Sequence, residues 1–373
     1  MAPLGIGRAL LNSSSGVPYE GEATGADLFW HLKRYETASY ASSEDVTFNI
    51  GGTNRDAKIT VWSGDQTFGS GNIPAAADKL TFARIEGNLT IDSGFTLSPG
   101  ADSLGMFMFI DGNLTVNGTI STYQLGQSLS SDPGALTLNS STNETVGSTE
   151  IAWNGSAGGA TNGSSTANAM TAGGGGNGGY GSYGSGGGST GHTFAGGSGG
   201  GGGGGIAYYN HYSGGGGGGG GATSLARNGG GGGASGHTKW GYWTADAGGT
   251  GGNGNPAGGG GSNNSYNGSD SRAGYGGHSS SVSASLAIYA TGDLTVASGG
   301  AIQTIGRGGQ TGGTSRLSAG GGGGTGGGIL VAVCGGTYTN NGTVATSGGS
   351  TGSGRGSGSA AGNGGTLTGG GYA

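Results

Sequence analysis

Two short segments concentrate the side chains best suited to contact chemistry. "IAYYNHYS" (206–213) carries Tyr208, Tyr209, His211 and Tyr212, and "ASGHTKWGYWTADA" (234–247) carries His237, Lys239, Trp240, Tyr242 and Trp243. Tyr and Trp bury large areas at low entropy cost and keep a polar handle, which suits stacking on sugar rings and docking on proteins. These nine residues are the candidate binding set, and Arg227, Arg272 and Asp246 can add charged contacts beside Lys239. The plainer alternative is that the aromatics cover a scaffold that has almost no other apolar side chains.

Other chemistries find little support. Asp92, Asp102, Asp111 and Asp132 are the carboxylates to weigh for glycoside hydrolysis, which needs two of them about 5–9.5 Å apart. Asp92 and Asp111 stand where turn residues belong, and aspartate in a turn is ordinary. The expectation is a protein without enzymatic activity. His31, His192, His211, His237 and His278 are dispersed, with no H-E-x-x-H or C-x-x-C spacing, so neither a metal nor a cofactor is expected. The glycine tracts carry Asn or Ser where calcium-binding repeats need Asp. Matches such as "GGSGG", and the many Asn-x-Ser/Thr triplets, follow from composition alone.

Composition sets the frame for these residues. Of 373 residues 103 are Gly, only 9% are charged and Pro is scarce at 6, which fits neither collagen nor an ordinary disordered chain. Residues 1–150 hold 16 acidic against 7 basic side chains, and the remainder 3 against 6, so two differently built parts share the chain. Neither part is basic enough for a nucleic-acid footprint. The lone Cys334, inside "ILVAVCGG", reads as a small buried hydrophobe. No apolar run approaches a membrane span, and the first residues do not read as a signal peptide. A polar, Ser/Thr/Asn/Gly-rich chain without such a signal is expected to assemble in a cytoplasm and to act outside the cell.

"TGADLFWHLKRYETA" (24–38) predicts one short N-terminal helix, capped by Thr24 or Asp27, with Leu28, Leu32 and Tyr35 on one face. From about 45 the period becomes two, in "VTFNI", "AKITVW" and "KLTFARI". A repeat follows: "IEGNLTIDSGFTL" (85–97), "IDGNLTVNGTI" (110–120), "ATGDLTVASGGAI" (290–302) and, more loosely, "YTNNGTVATSGG" (338–349). Gly87 and Gly112 hold the same place in the first two copies, and their spacing sets the length of one unit. Each copy predicts a strand with one buried face between Gly/Asn/Asp turns, in a β-solenoid or an antiparallel sandwich.

Between the second and third copies lies the glycine-rich region, 157–281, with tracts at 199–205, 214–221, 229–233 and 258–261. Polyproline-II geometry rises about 3.1 Å per residue, so an eight-residue tract spans roughly 25 Å. One such rod makes no internal hydrogen bonds, but rods without side chains pack closely enough to bond to one another. The expectation is a polyglycine-II helix bundle inserted into the β-structure. If each tract is one pass, segments 206–213 and 234–247 meet at one end of it and "ATSLARN" lies at the other.

Glycine tracts interleaved with aromatic loops and flanked by G-[ND]-L-T-[VI] units resemble the glycine-rich virion proteins of tailed bacteriophages. The nearest architecture is the tip adhesin on long tail fibres of T-even-like phages. The opening "APLGIGRALLN" is also similar to N-termini of virion proteins from some marine phages. The resemblance implies a tail-fibre or tail-tip component of the virion. It implies binding to a host-surface glycan or protein through the bundle's loops, and contact with other virion proteins through the N-terminal region. It also implies a homo-oligomer, a trimer being one form, with no nucleic-acid partner and no membrane insertion. The chain departs from that family in having β-repeats on both sides of the bundle. The organisation expected is a connecting arm with a short helix (1–44), a β-repeat domain (45–156), the glycine bundle (157–281), and a β-strand return with a Gly/Ser/Thr-rich tail (282–373). The competing classes are a purely structural fibre protein and, further off, an ice-binding protein.

Overall fold

In the computed structural model the described residues are 43–50, 53–126, 283–308, 324–350, 363–364 and 366–371, with four two-residue strands elsewhere. They are β-structure wound into successive coils. Each full coil supplies one strand to each of three faces. The first face runs Thr53–Ser63, Leu80–Glu86, Met106–Ile110, Leu286–Ala290, Leu330–Cys334 and Thr366–Gly369. The second runs Gln66–Phe68, Leu89–Ile91, Leu114–Val116, Leu294–Val296 and Tyr338–Asn340. The third runs Thr96–Leu97, Thr119–Ser121, Ala301–Gln303 and Thr343–Ala345. Every pairing between coils is parallel. The sandwich that alternation left open is therefore not formed by these strands. Ser43–Ile50 alone runs antiparallel on the first face, along Thr53–Ser63, and covers its first-coil edge.

The repeats found in the sequence are these coils in register. Leu89, Leu114 and Leu294 stack inward, as do Ile91, Val116 and Val296 one pleat further on, while Thr90, Thr115 and Thr295 point outward. A fully buried leucine contributes roughly 2 kcal/mol, so the three stacked leucines hold the coils together before any hydrogen bond is counted. On the third face Leu97, Ile120 and Ile302 continue the interior, with Val344 packed against it. Cys334 ends the inward row Ile85, Ile110, Ala290 on the first face and is buried, as its apolar run predicts.

The corner between first and second faces explains the Gly-[Asn/Asp] pair of each copy. Asp65 Oδ1 accepts from the backbone N–H of Asn88 (2.8 Å), and Asn88 Oδ1 from that of Asn113 (2.8 Å). Asn113 Oδ1 then accepts from Asp293 N–H (2.7 Å), and Asp293 Oδ1 from Thr337 N–H (2.7 Å). The ladder turns a corner that lacks strand pairing into a bonded column, and it stops where threonine replaces Asx.

The repeat strands of the second face have the one buried face that their alternation predicts. The strands of the first face are instead buried on both sides. Ala83, Met108, Ile288 and Ala332 belong to the interior, yet their outward neighbours Phe82, Phe107, Ala287 and Val331 are buried as completely. Parallel strands covered on both faces read as continuous apolar runs, which is what "MFMFI" and "ILVAVC" are. Phe82 and Phe107 stack edge to face across adjacent coils, ring centroids 5.3 Å apart.

No helix occurs among the described residues. The predicted helix over 24–38 and nearly all of the glycine-rich region 157–281 lie outside them.

Candidate functional site

The register shows where the glycine-rich region leaves the coils. Thr81 pairs with Met106, one repeat length further along the chain, whereas Met106 pairs with Leu286, on the far side of the glycine-rich region. One coil therefore carries that whole region as an insertion, and its β-strands before and after belong to one stack. The chain departs after the third face and rejoins at the start of the first. The next two coils depart at the same corner, around residues 309–323 and 351–362.

A threonine clasps the base of each departure. Thr122 Oγ1 donates to Ala284 O (2.6 Å), Thr304 Oγ1 to Gly328 O (2.7 Å) and Thr346 Oγ1 to Gly364 O (2.8 Å). The backbone completes each clasp: Ala284 N–H donates to Thr122 O, Gly328 N–H to Thr304 O and Gly364 N–H to Thr346 O. All three threonines are buried. Sequence reading missed them, although the signal is present. Ile120-Ser-Thr122, Ile302-Gln-Thr304 and Val344-Ala-Thr346 put a threonine two residues past the last inward apolar residue, hence on the same side of the strand. The second coil has Leu97-Ser98-Pro99 there and makes only a short connection.

Beyond the clasps the departing and returning chains bond to each other without forming strands. Departing segment 304–307 runs parallel to the next coil's departing segment, with Thr304 N–H to Ala345 O (2.9 Å) and Gly306 N–H to Ser347 O (2.7 Å). It runs antiparallel to its own return, with Thr325 N–H to Arg307 O (2.8 Å). That return in turn accepts from the third chain, Gly349 N–H to Thr325 O (2.8 Å). Three extended chains thus each bond to the other two, which strands side by side in one sheet do not do. Such closeness requires bare backbone: a Cβ on Gly306 would overlap Thr325 O, and one on Gly349 would overlap Arg307 O. Arg307 also reaches one coil back, donating from Nη1 to Gln124 Oε1 (2.9 Å).

Of the nine candidate binding residues, Tyr208, Tyr209, His211, Tyr212, Lys239, Trp240, Tyr242 and Trp243 lie outside the described residues. His237 is described in its backbone: Gly236–His237 pairs antiparallel with Ser213–Gly214, Ser213 opposite His237. At that point the chain following the first aromatic segment runs beside the second. Another such pair joins Leu136–Thr137 to Ala152–Trp153.

The carboxylates weighed for hydrolysis do not form a described site. Asp92 and Asp111 are exposed in turns, and Asp111 Oδ1 accepts from Thr291 Oγ1 (3.4 Å). Asp102 lies on the connection between the second and third coils. Partial desolvation raises its carboxyl above the ordinary range, although its side chain still meets solvent. Asp132 lies outside the described residues. Burial raises the Cys334 thiol, which points into the interior and is no nucleophile. Among the described residues no group of three or more His, Cys, Asp or Glu could hold a metal ion, and no helix is long and apolar enough to cross a membrane.

Comparison of the chain with protein-family models, with curated proteins and with solved structures gives no match.

Proposed function

We propose that this chain is a bacteriophage virion protein of the tail fibre or tail tip that binds a host-surface receptor, a glycan or an outer-surface protein, through loops of its glycine-rich region. The observation that supports the reading is the three-way bonding of segments 304–307, 325–328 and 345–349, closely packed at Gly306 and Gly349, at the same corner in the coils that follow the insertion. Departing and returning chains already bond there as polyglycine rods would. Continued outward through the tracts of 199–261, the same packing is a polyglycine-II bundle, and its turns fall at the aromatic segments. The clasp at Thr122 and Ala284 holds both ends of the insertion on a stiff parallel stack. A rigid base reduces the entropy lost when the loops dock, which favours affinity. The backbone pairing of Ser213 with His237 supports placing segments 206–213 and 234–247 together.

On this reading the protein works by binding and performs no reaction. Copies assembled on a particle raise the avidity of weak single contacts. The test replaces Tyr208, Tyr212, Trp240 and Trp243 together by alanine in virions that carry the chain. A fall in adsorption rate of tenfold or more, with particles intact by electron microscopy, is the expected result. Unchanged adsorption by intact particles overturns receptor binding and leaves a structural fibre protein.

A further inference from the structure

The outer side of the first face is an apolar surface that something covers. Strand alternation puts Ile59, Phe82, Phe107, Ala287 and Val331 in one outward row across five successive coils. All five are buried, none more than 1% exposed. A second row beside it holds Val61, Arg84, Phe109, Tyr289 and Val333, with Val61, Phe109 and Val333 equally buried. The second face differs, since its outward Thr90, Thr115 and Thr295 remain partly open. Among the described strands, all belong to the three faces, to the antiparallel edge strand, or to pairs only two residues long, so none forms a second layer over this side.

We infer that the amphipathic segment 24–38 docks on this row as a helix, with Leu28, Leu32 and Tyr35 against Phe82 and Phe107. Three observations favour it over other parts of the chain. The first is continuity. Ser43 opens the strand at the edge of this same face, so residues 39–42 are the whole connection, and four residues reach at most about 14 Å. The second is length. Fifteen helical residues span about 22 Å, and four steps between neighbouring strands, Ile59 to Val331, span about 19 Å. The third is pattern. Leu28, Leu32 and Tyr35 fall on one helix stripe with Phe29 at its margin, while Lys33 and Arg34 fall opposite, on either side of Trp30. A helix covering the face also explains why an outward row rich in phenylalanine belongs to the fold and is not an aggregation-prone surface. The docked segment would leave residues 1–23 as the part of the arm free to meet another protein.

A photoreactive benzoyl-phenylalanine in place of Tyr289, which is only half-buried, tests the docking in the full chain. The same probe at Phe107 is the second placement. After irradiation, digestion and mass spectrometry, adducts within residues 24–38 are expected from both positions. Adducts confined to residues 127–156, a dimer-sized product, or no adduct from either position overturns the inference. The double variant Leu28→Asp and Leu32→Asp provides an independent reading. It should raise the fluorescence of an apolar-surface dye several-fold while the far-ultraviolet β-signal is kept. Unchanged dye binding counts against the docking.

Discussion

Asn113 Oδ1 accepts a hydrogen bond from the backbone N–H of Asp293 at 2.7 Å, joining residues 180 positions apart in the chain. The bond repeats, across the great insertion, what Asn88 does for Asn113 within an uninterrupted stretch. The coil that carries the insertion is therefore held by the same corner column as its neighbours. Strand pairs on all three faces close it equally: Met106 with Leu286, Leu114 with Leu294 and Thr119 with Ala301.

Replacing Asn113 by alanine removes the forward half of this link, because its side chain serves the next coil while its own N–H is served by Asn88. Losing the acceptor for Asp293 N–H is expected to cost about 1 kcal/mol. Aspartate keeps the acceptor and already stands at the equivalent positions Asp65 and Asp293. Asn113→Asp should therefore retain most of the stability that Asn113→Ala loses. Urea unfolding of both variants measures this, and equal midpoints for the two would show that the acceptor is immaterial.

The clasp offers a second test. Thr122→Val keeps the shape and removes the hydroxyl that donates to Ala284 O inside the protein. Leaving a buried carbonyl short of its partner costs about 1–3 kcal/mol. Hydrogen exchange should localise the loss, with the Ala284 amide exchanging faster and Leu114 and Leu294 little changed. Uniform acceleration across all coils would mean that Thr122 supports the stack in general and is not a closure for the insertion.

Acid should loosen the first coils. Two hydrogen bonds from Asn88, the backbone one first, hold the Asp65 carboxyl below its ordinary value. The hydrogen bond from Lys79, at 2.8 Å, does the same for Asp45, with help from Lys58. A carboxyl depressed in the folded state favours folding above its unfolded pKa, and that contribution disappears as pH falls through the depressed value. The urea midpoint should therefore decline between about pH 5 and pH 2. Asp65→Asn retains an oxygen for Asn88 N–H without a titrating group, so its decline should be shallower. An identical pH profile would remove Asp65 from the account.

The strand repeats could be read from the sequence because a Leu-x-Val or Leu-x-Ile pair with Asx before it obeys a local period of two. The step from Gly87 to Gly112 marked the length of a coil. Parallel order could not be read, since alternation looks the same in a sandwich, and the pairings between coils, such as Leu89 with Leu114 and Met106 with Leu286, decide it. The double burial of the first face was hidden for another reason. Phe82 and Phe107 look like inward residues of an ordinary strand, yet they point away from the interior and are buried all the same. The clasp threonines were overlooked because threonine is common in every strand here. Its position two residues after Ile120, Ile302 and Val344 distinguishes it only once the corner is known. The candidate aromatic residues, apart from the backbone of His237, remain readings of the sequence.

The bare-backbone corner gives the most demanding test of the polyglycine reading. A methyl group on Gly349 would overlap Arg307 O and stand 2.8 Å from Gly308 N, both backbone atoms that cannot turn aside. Gly349→Ala must therefore push the third chain away from the other two, at a cost of about 2–3 kcal/mol by analogy with overpacked cores. A control is Gly94→Ala, where a Cβ meets nothing within 4 Å and the only penalty is the backbone angle φ of +79°. That penalty is roughly 1–2 kcal/mol. If the glycine-rich insertion continues the packing of the neighbouring coils at this corner, Gly349→Ala should also accelerate amide exchange within residues 199–261, and Gly94→Ala should not. Exchange that changes only at Gly306, Thr325 and Gly349 would confine the lattice to the corner, and the bundle would then need another foundation.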